Sequence, residues 1–272
     1  ALNERLNLIN EIEALSILEE DTLVIMVDHH DTQQTNAPEV INRAKKIVVV
    51  DHHRRKSDFS FMPLLVYIES GASSVSELVT ELFPYQLSKV NVSEEEATIM
   101  FTGILIDTNR FKIRTGSRTF EAAAQLKALG ADPGEADELL KDTYEDFSLK
   151  TGVLKYCEKV DNGVIIAPYK GDQVLSRSLM SQAANDIMSL QGVEAVFVIA
   201  MIDDDVVAVS ARSVGNVNVQ VIVEQMHGGG HFTAAALQRV GSTVDEIDAE
   251  LRTVLKEYFQ QREINNETNI TN

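Results

Sequence analysis

The chain has 272 residues, 44% of them hydrophobic and 24% charged, and a formal net charge of −18. This length allows one large domain or two ordinary ones, each with its own core, and the composition excludes a disordered chain. The acidic balance argues against gripping long nucleic acid, which needs a basic stripe, and the single cysteine, Cys157, excludes an internal disulfide framework and points to a reducing compartment.

The start "ALNERLNLINEIEAL" places Leu2, Leu6, Ile9 and Ile12 at helical spacing, which predicts an amphipathic helix. It has no initiator methionine and reads as a chain entered in mid-domain, with no signal peptide expected. "TLVIMV" (Thr22 to Val27) is a predicted strand, "APEVINRA" a short helix with proline near its start, and "KIVVV" the next strand. Alternation of this kind implies βαβ units and a parallel sheet.

"SGASSVSELVTELF" supplies serines before a helix, with Ser73 and Ser74 as its caps, and "SEEEATIMFTGILI" opens with Ser93 and Glu96 in capping-box spacing. The second of these helices is apolar nearly all round, so it should be buried, and it ends at Asp107. "SRTFEAAAQLKALGADP" predicts another helix, stopped by Gly130 and Pro133, with Arg118 packing rather than reacting. A charged helical stretch follows from about Ala136 to Tyr156.

The second half begins with the strand "GVIIAPY" and continues through "VEAVFVIAMI", "VVAVSARS" and "NVNVQVIVEQM" to the loop "HGGGHFTAAALQ". A domain boundary is placed near residue 150, giving domains 1–150 and 151–272. No stretch is long enough to span a membrane, and Ala195 to Ile202 reads as a buried strand. After Phe259 the apolar pattern fades, which predicts a frayed tail.

Asp28 and Asp51 both fall directly after apolar strands, where open α/β sheets gather their ligands. That places Asp28 and His52 on one rim. Aspartate plus neutral imidazole suits manganese, iron or zinc, because it mixes hard oxygen with borderline nitrogen. Asp107 adds a carboxylate at the partially negative end of a helix, where a cation would compensate it. Arg54 and Arg55 beside this rim are either solvated surface groups or a clamp for phosphate. In the second half, Gly228, Gly229 and Gly230 precede His231, and the run is expected to feed a helix start at "FTAAALQ", where exposed N–H groups attract anions.

"IMVDHH", "VVVDHHRR" and "GILIDT" resemble the second, third and fourth motifs of the DHH phosphoesterase superfamily, in order. Within it, "LLVYIESGASSVSELVTEL", "DTNRFKIRTGSRTFEAAAQLKALGAD" and "VSARSVGNVNVQ" with "GGGH" are similar to the GdpP (YybT) type of cyclic di-AMP phosphodiesterase. The resemblance implies an α/β fold: a parallel-sheet DHH domain, truncated at its N-terminus, then a smaller α/β DHH-associated domain, with a substrate cleft between them. It implies hydrolysis of cyclic di-AMP to linear pApA with two Mn2+ ions held by Asp28, His52 and Asp107 together with a first motif. His53 would lie behind the metal or reach the scissile phosphate, and Asp28, His52, His53 and Asp107 would form the catalytic set.

The same resemblance assigns nucleotide binding to Arg212, Asn218, Gly228, Gly229, Gly230 and His231, with Arg54 added from its place beside the rim, although the family's common form has another glycine where His227 stands. It implies a cytoplasmic catalytic part of a membrane-anchored protein and admits a homodimer. The family's first motif, a histidine with two aspartates, has no counterpart here: the carboxylates before Asp28 are Glu4, Glu11, Glu13, Glu19, Glu20 and Asp21, without a partnering histidine. The chain as given is therefore expected to bind at most one metal ion, weakly, and to turn over poorly. Two other activities stay open: a short-oligonucleotide hydrolase or pAp phosphatase of the same superfamily, and a nucleotide-binding module without turnover.

Overall fold

The computed structural model describes residues 8–32, 34–54, 59–87 and 91–270, with side chains to residue 262. The chain divides into two compact units, Ala1–Lys141 and Asp142–Asn272. The helix that spans residue 150 thus belongs with the second.

The first unit opens with helix α1 (Glu11–Ile17), started by an Asn10/Glu13 capping box. Its apolar stripe is not a buried face: α1 buries no residue, Ile12 is 80% exposed, and Ile9 precedes the helix. Leu2 and Leu6 lie outside the described residues. Strand β1 (Leu23–Val27), helix α2 (Pro38–Arg43) and strand β2 (Lys46–Asp51) form the expected βαβ unit. Strand β3 (Leu65–Ile68) completes a three-stranded parallel sheet in the order β1-β2-β3.

Alternation along β2 sorts its residues between two faces. Ile47 and Val49 pack with Met26 and with Ile41 of α2, whereas Val50 packs with Ala72 and with Val75 and Leu78 of helix α3 (Val75–Leu82). Ser74 caps α3 by accepting from the Glu77 N–H, and Ser73 Oγ donates to the buried Glu77 carboxylate at 2.5 Å. Arg118 grips Glu81 through two hydrogen bonds of 2.7 and 2.6 Å.

Helix α4 (Glu94–Asp107) starts at the Ser93/Glu96 capping box and buries Ala97, Phe101, Ile104 and Leu105 against helices α5 (Ser117–Ala128) and α6 (Pro133–Leu139). The charged stretch after Ala136 is not one helix. It breaks after Leu139, and Thr143 caps a new helix, α7 (Tyr144–Leu154), by accepting from the Asp146 N–H.

The second unit is built on a mixed six-stranded sheet. Strands β4 (Glu158–Lys159), β5 (Val164–Pro168), β6 (Ala195–Asp203), β7 (Val206–Ser213), β8 (Gly229–His231) and β9 (Ala234–Val240) take the order β4-β5-β6-β7-β9-β8, with only β5 and β6 parallel. Helix α7 and helix α8 (Arg177–Met188) cover one face; helix α9 (Val219–Gln225) and helix α10 (Val244–Ile270) cover the other.

Two expectations are corrected here. "FTAAALQ" does not open a helix: Ala234–Val240 is a strand, because its residues alternate between Ala235 and Leu237 in the core and the more exposed Ala236 and Gln238. The tail after Phe259 is not a frayed coil either, since α10 continues to Ile270. No helix among the described residues is long and apolar enough to cross a membrane.

Leu126 of α5 is fully buried in the helical core of the first unit. Leu126→Ala is expected to cost about 2–5 kcal/mol, the range for emptying such a site, read as a lowered urea midpoint.

Candidate functional site

The site of the first unit forms where two parallel strands end together. Val27 is in register with Val50, and the Asp28 N–H donates to the Val50 carbonyl at 3.1 Å, so the ladder continues one residue past β1. Asp28 then leaves the sheet with φ 65°, a left-handed conformation that aspartate tolerates better than most residues. The turn carries its carboxylate to the buried imidazole of His52, with Oδ1 3.2 Å from Nε2.

Asp107, the last residue of α4, comes to 3.8 Å from the same nitrogen. Burial pushes the Asp107 carboxyl above its usual range, and the nearby Asp28 charge adds to this against the pull of His52. Burial also disfavours a charged His52, but the Asp28 hydrogen bond and the Asp107 charge outweigh it and raise its pKa. Two carboxylates sharing one imidazole are a cation site by charge. Distances agree, because metal–ligand bonds of about 2.0–2.2 Å put two donors of one ion roughly 3–4 Å apart.

The backbone on either side of Asp107 is arranged to hold it. Thr108 donates its hydroxyl to the Ile104 carbonyl at 2.6 Å and accepts from the Phe111 N–H at 2.9 Å. Asn109, Arg110 and Phe111 follow with φ of 45°, 58° and 61°, three consecutive left-handed residues without a glycine. Phe111 stacks on Phe120 of α5 at 5.3 Å and leans on Phe101 of α4 at 6.2 Å.

Around these donors stands a second circle of hydrogen bonds. Asp51 is fully buried, and its two oxygens engage His30 Nδ1 at 2.5 Å and His53 Nδ1 at 2.8 Å. Burial alone would raise the Asp51 pKa, yet these two histidines hold it below the usual carboxylate value. Although Asp51 follows an apolar strand just as Asp28 does, it anchors imidazoles rather than facing the site. His52 Nδ1 makes a long contact of 3.4 Å with the Ala72 carbonyl, which favours the tautomer that leaves Nε2 unprotonated toward the carboxylates. Ligand atoms of Asp28, His52 and His53 lie within 4.8 Å of one another, so this cluster can hold a metal ion. Arg54 follows His53 and is exposed; Arg55 lies outside the described residues.

In the second unit, Arg212, Gly229 and Gly230 line one cavity of about 310 Å³ together with Arg177, Ser181 and Gln238. Arg212 is held by Ser181 Oγ at 2.5 Å, and burial lowers its pKa. His231 pairs with Ala234, which pairs with Arg212, so the three share one row across the sheet. Gly228 is required by packing: a Cβ there would sit 2.5 Å from Val223 Cγ1 and 2.6 Å from the Ala236 carbonyl oxygen. His227, where the family's common form has glycine, takes φ 64°.

Asn218 does not line that cavity. Its side chain caps α9 by accepting from the Val221 N–H, and its backbone N–H donates to the Tyr258 hydroxyl. Arg177, Ser181 and Gln238 were not singled out in the sequence, and no local motif marks them, because they meet only through strand register and the placement of α8.

Comparison with known proteins agrees with this division. Residues 2–104 match the model of the DHH family, N-terminal domain, and residues 161–257 that of the DHHA1 domain. The chain is 43% identical over 248 residues to the cyclic-di-AMP phosphodiesterase GdpP of Geobacillus thermodenitrificans, and 39% identical over 254 residues to the cyclic-di-AMP phosphodiesterase PdeA of Listeria monocytogenes. These alignments cover 91% and 93% of this chain but only 38% and 39% of those proteins. In three dimensions it is similar to an exopolyphosphatase-related protein from Bacteroides fragilis, with a TM-score of 0.77 at 20% identity, covering 94% of this chain and 76% of that one. The chain thus carries a DHH-type N-terminal domain followed by a DHHA1 domain.

Proposed function

We propose that this chain is the catalytic part of a manganese-dependent phosphodiesterase that opens cyclic di-AMP to linear pApA. The observation that carries this is the convergence of Asp28, His52 and Asp107 at one rim, in a chain about 40% identical to cyclic-di-AMP phosphodiesterases. The donor set of two carboxylates and one imidazole fits manganese. A bound ion of this kind polarises the phosphodiester and lowers the pKa of water enough to supply hydroxide.

The chain's own residues do the rest. Asp28 and Asp107 offer hard oxygens, and His52 offers Nε2 with its tautomer held by the Ala72 carbonyl. Asp51 fixes the ring of His53, whose exposed side is available to a phosphate oxygen. Arg54 contributes a guanidinium beside it. Arg212 and His231, with the glycine run, hold the nucleotide in the second unit. We infer a cytoplasmic catalytic part of a membrane-anchored protein, a reading that the likeness to GdpP supports.

A hydrolase for short oligonucleotides and pAp is the second reading, favoured by 27% identity over 252 residues to the bifunctional oligoribonuclease and PAP phosphatase NrnA of Bacillus subtilis. Incubating the chain with manganese and cyclic di-AMP, pApA or pAp side by side separates the two. The expected outcome is pApA formed from cyclic di-AMP and abolished by EDTA; preferential consumption of pApA or pAp would favour the second reading.

With Asp28, His52 and Asp107 as donors, calorimetric titration with manganese chloride is expected to give one weak site per chain and slow turnover. Two tight sites would contradict this. Asp51→Asn removes the charge that orients His53 and is expected to cost about 10–100-fold in activity. Because His52 must be neutral to bind metal and its pKa is raised, protons compete from a higher pH than for an ordinary imidazole. Manganese affinity should therefore weaken as pH falls from about 8 to about 6, and His52→Ala should flatten that dependence while lowering affinity throughout.

A further inference from the structure

The cavity in the second unit has a bare floor and two chemically different ends. In the register of β7 with β9, Arg212 lies opposite Ala234, Ser210 opposite Ala236 and Ala208 opposite Gln238. Directly paired residues of an antiparallel ladder share a face, so the row runs from arginine at one end to glutamine at the other. On the sheet between them the side chains are only methyls and one hydroxymethyl, β8 adds Gly229 and Gly230 beside them, and Met180 and Ser181 of α8 line the cavity from the helix side. Four residues of strand separate Arg212 from Ala208, roughly 13 Å at about 3.3 Å per residue. Such a strip of small side chains is flat enough for a planar ring.

The glutamine end is oriented. Arg177, at the start of α8, donates from Nη2 to Gln238 Oε1 at 2.8 Å. A guanidinium can only donate, so the bond decides which way the amide faces: Oε1 toward Arg177 and Nε2 away from it. The amide oxygen has a second lone pair and remains an acceptor, beside an N–H donor in fixed order. Adenine presents the complementary pair, an amino donor at N6 next to the acceptor N7, whereas guanine presents two acceptors, O6 and N7, on that edge. An amide free to rotate still cannot satisfy two acceptors at once, but one locked by Arg177 also holds its oxygen in the favourable place for N6.

We propose that Arg177 and Gln238 are the residues that select adenine, at the opposite end of the strip from the phosphate-binding Arg212 and His231. This deepens the cyclic di-AMP reading given above and rests on it. Arg177 acts through Gln238, as a positioning residue, and Gln238 touches the base.

The test is binding of cyclic di-AMP and of cyclic di-GMP to the full chain by calorimetry, with EDTA present to prevent turnover. Wild type is expected to prefer cyclic di-AMP. Gln238→Leu should reduce that preference on the order of tenfold or more, through loss of cyclic di-AMP affinity, and Arg177→Ala should reduce it in the same direction with Gln238 still in place. Both side chains are exposed, so thermal midpoints and manganese affinity should stay at wild-type values, which separates lost recognition from lost folding. If wild type discriminates and both variants keep its full preference, the assignment to Arg177 and Gln238 is wrong while the cyclic di-AMP reading stands. A wild-type chain that binds neither dinucleotide, or both equally, would overturn both.

Discussion

The first unit depends on one backbone hydrogen bond, from the Asp28 N–H to the Val50 carbonyl. It keeps β1 and β2 paired to the point where both run out, so the residues that follow emerge side by side rather than a strand length apart. Sequence separation between Asp28 and His52 is thereby converted into a contact of 3.2 Å. A parallel sheet favours this arrangement because all its strands finish on the same edge. The fully buried Asp51 then gives the edge its internal order by holding imidazoles on both of its oxygens.

An acidic chain can offer a site to an anion only where its own field is reversed locally. The first unit concentrates carboxylates around His52, which creates a demand for a cation and makes the resulting complex attractive to phosphate. The second unit instead sets Arg212 and Arg177 along a strip of small residues. Each device acts at contact distance, where the long-range effect of a net charge of −18 is heavily screened by salt.

Much of this was legible in the sequence, since strand ends and helix caps are local signals. Asp28, His52 and Asp107 could be picked out because each closes an apolar run, and Ser74, Ser93 and Glu96 cap as their spacing predicts. What stayed hidden depends on partners remote in sequence. "GGGHFTAAALQ" has glycines that suit a helix start equally well, and only the pairing of Gly229 with Ala236 makes it a hairpin. Asp51 resembles Asp28 in sequence and differs only in being enclosed. Asn218 looked like a nucleotide ligand, but its side chain is committed to the start of α9.

The three left-handed residues after Asp107 give the first unit an uneven distribution of free energy. Each costs of order 1–3 kcal/mol outside glycine, and the stabilisation that offsets this comes from Thr108 and from the ring stack of Phe101, Phe111 and Phe120. The position of one carboxylate is thus coupled to aromatic packing in the helical core. Drift in the helical core would detune the rim while leaving all of its side chains in the sequence, so the reach of natural variation into this site extends well beyond the residues that face it.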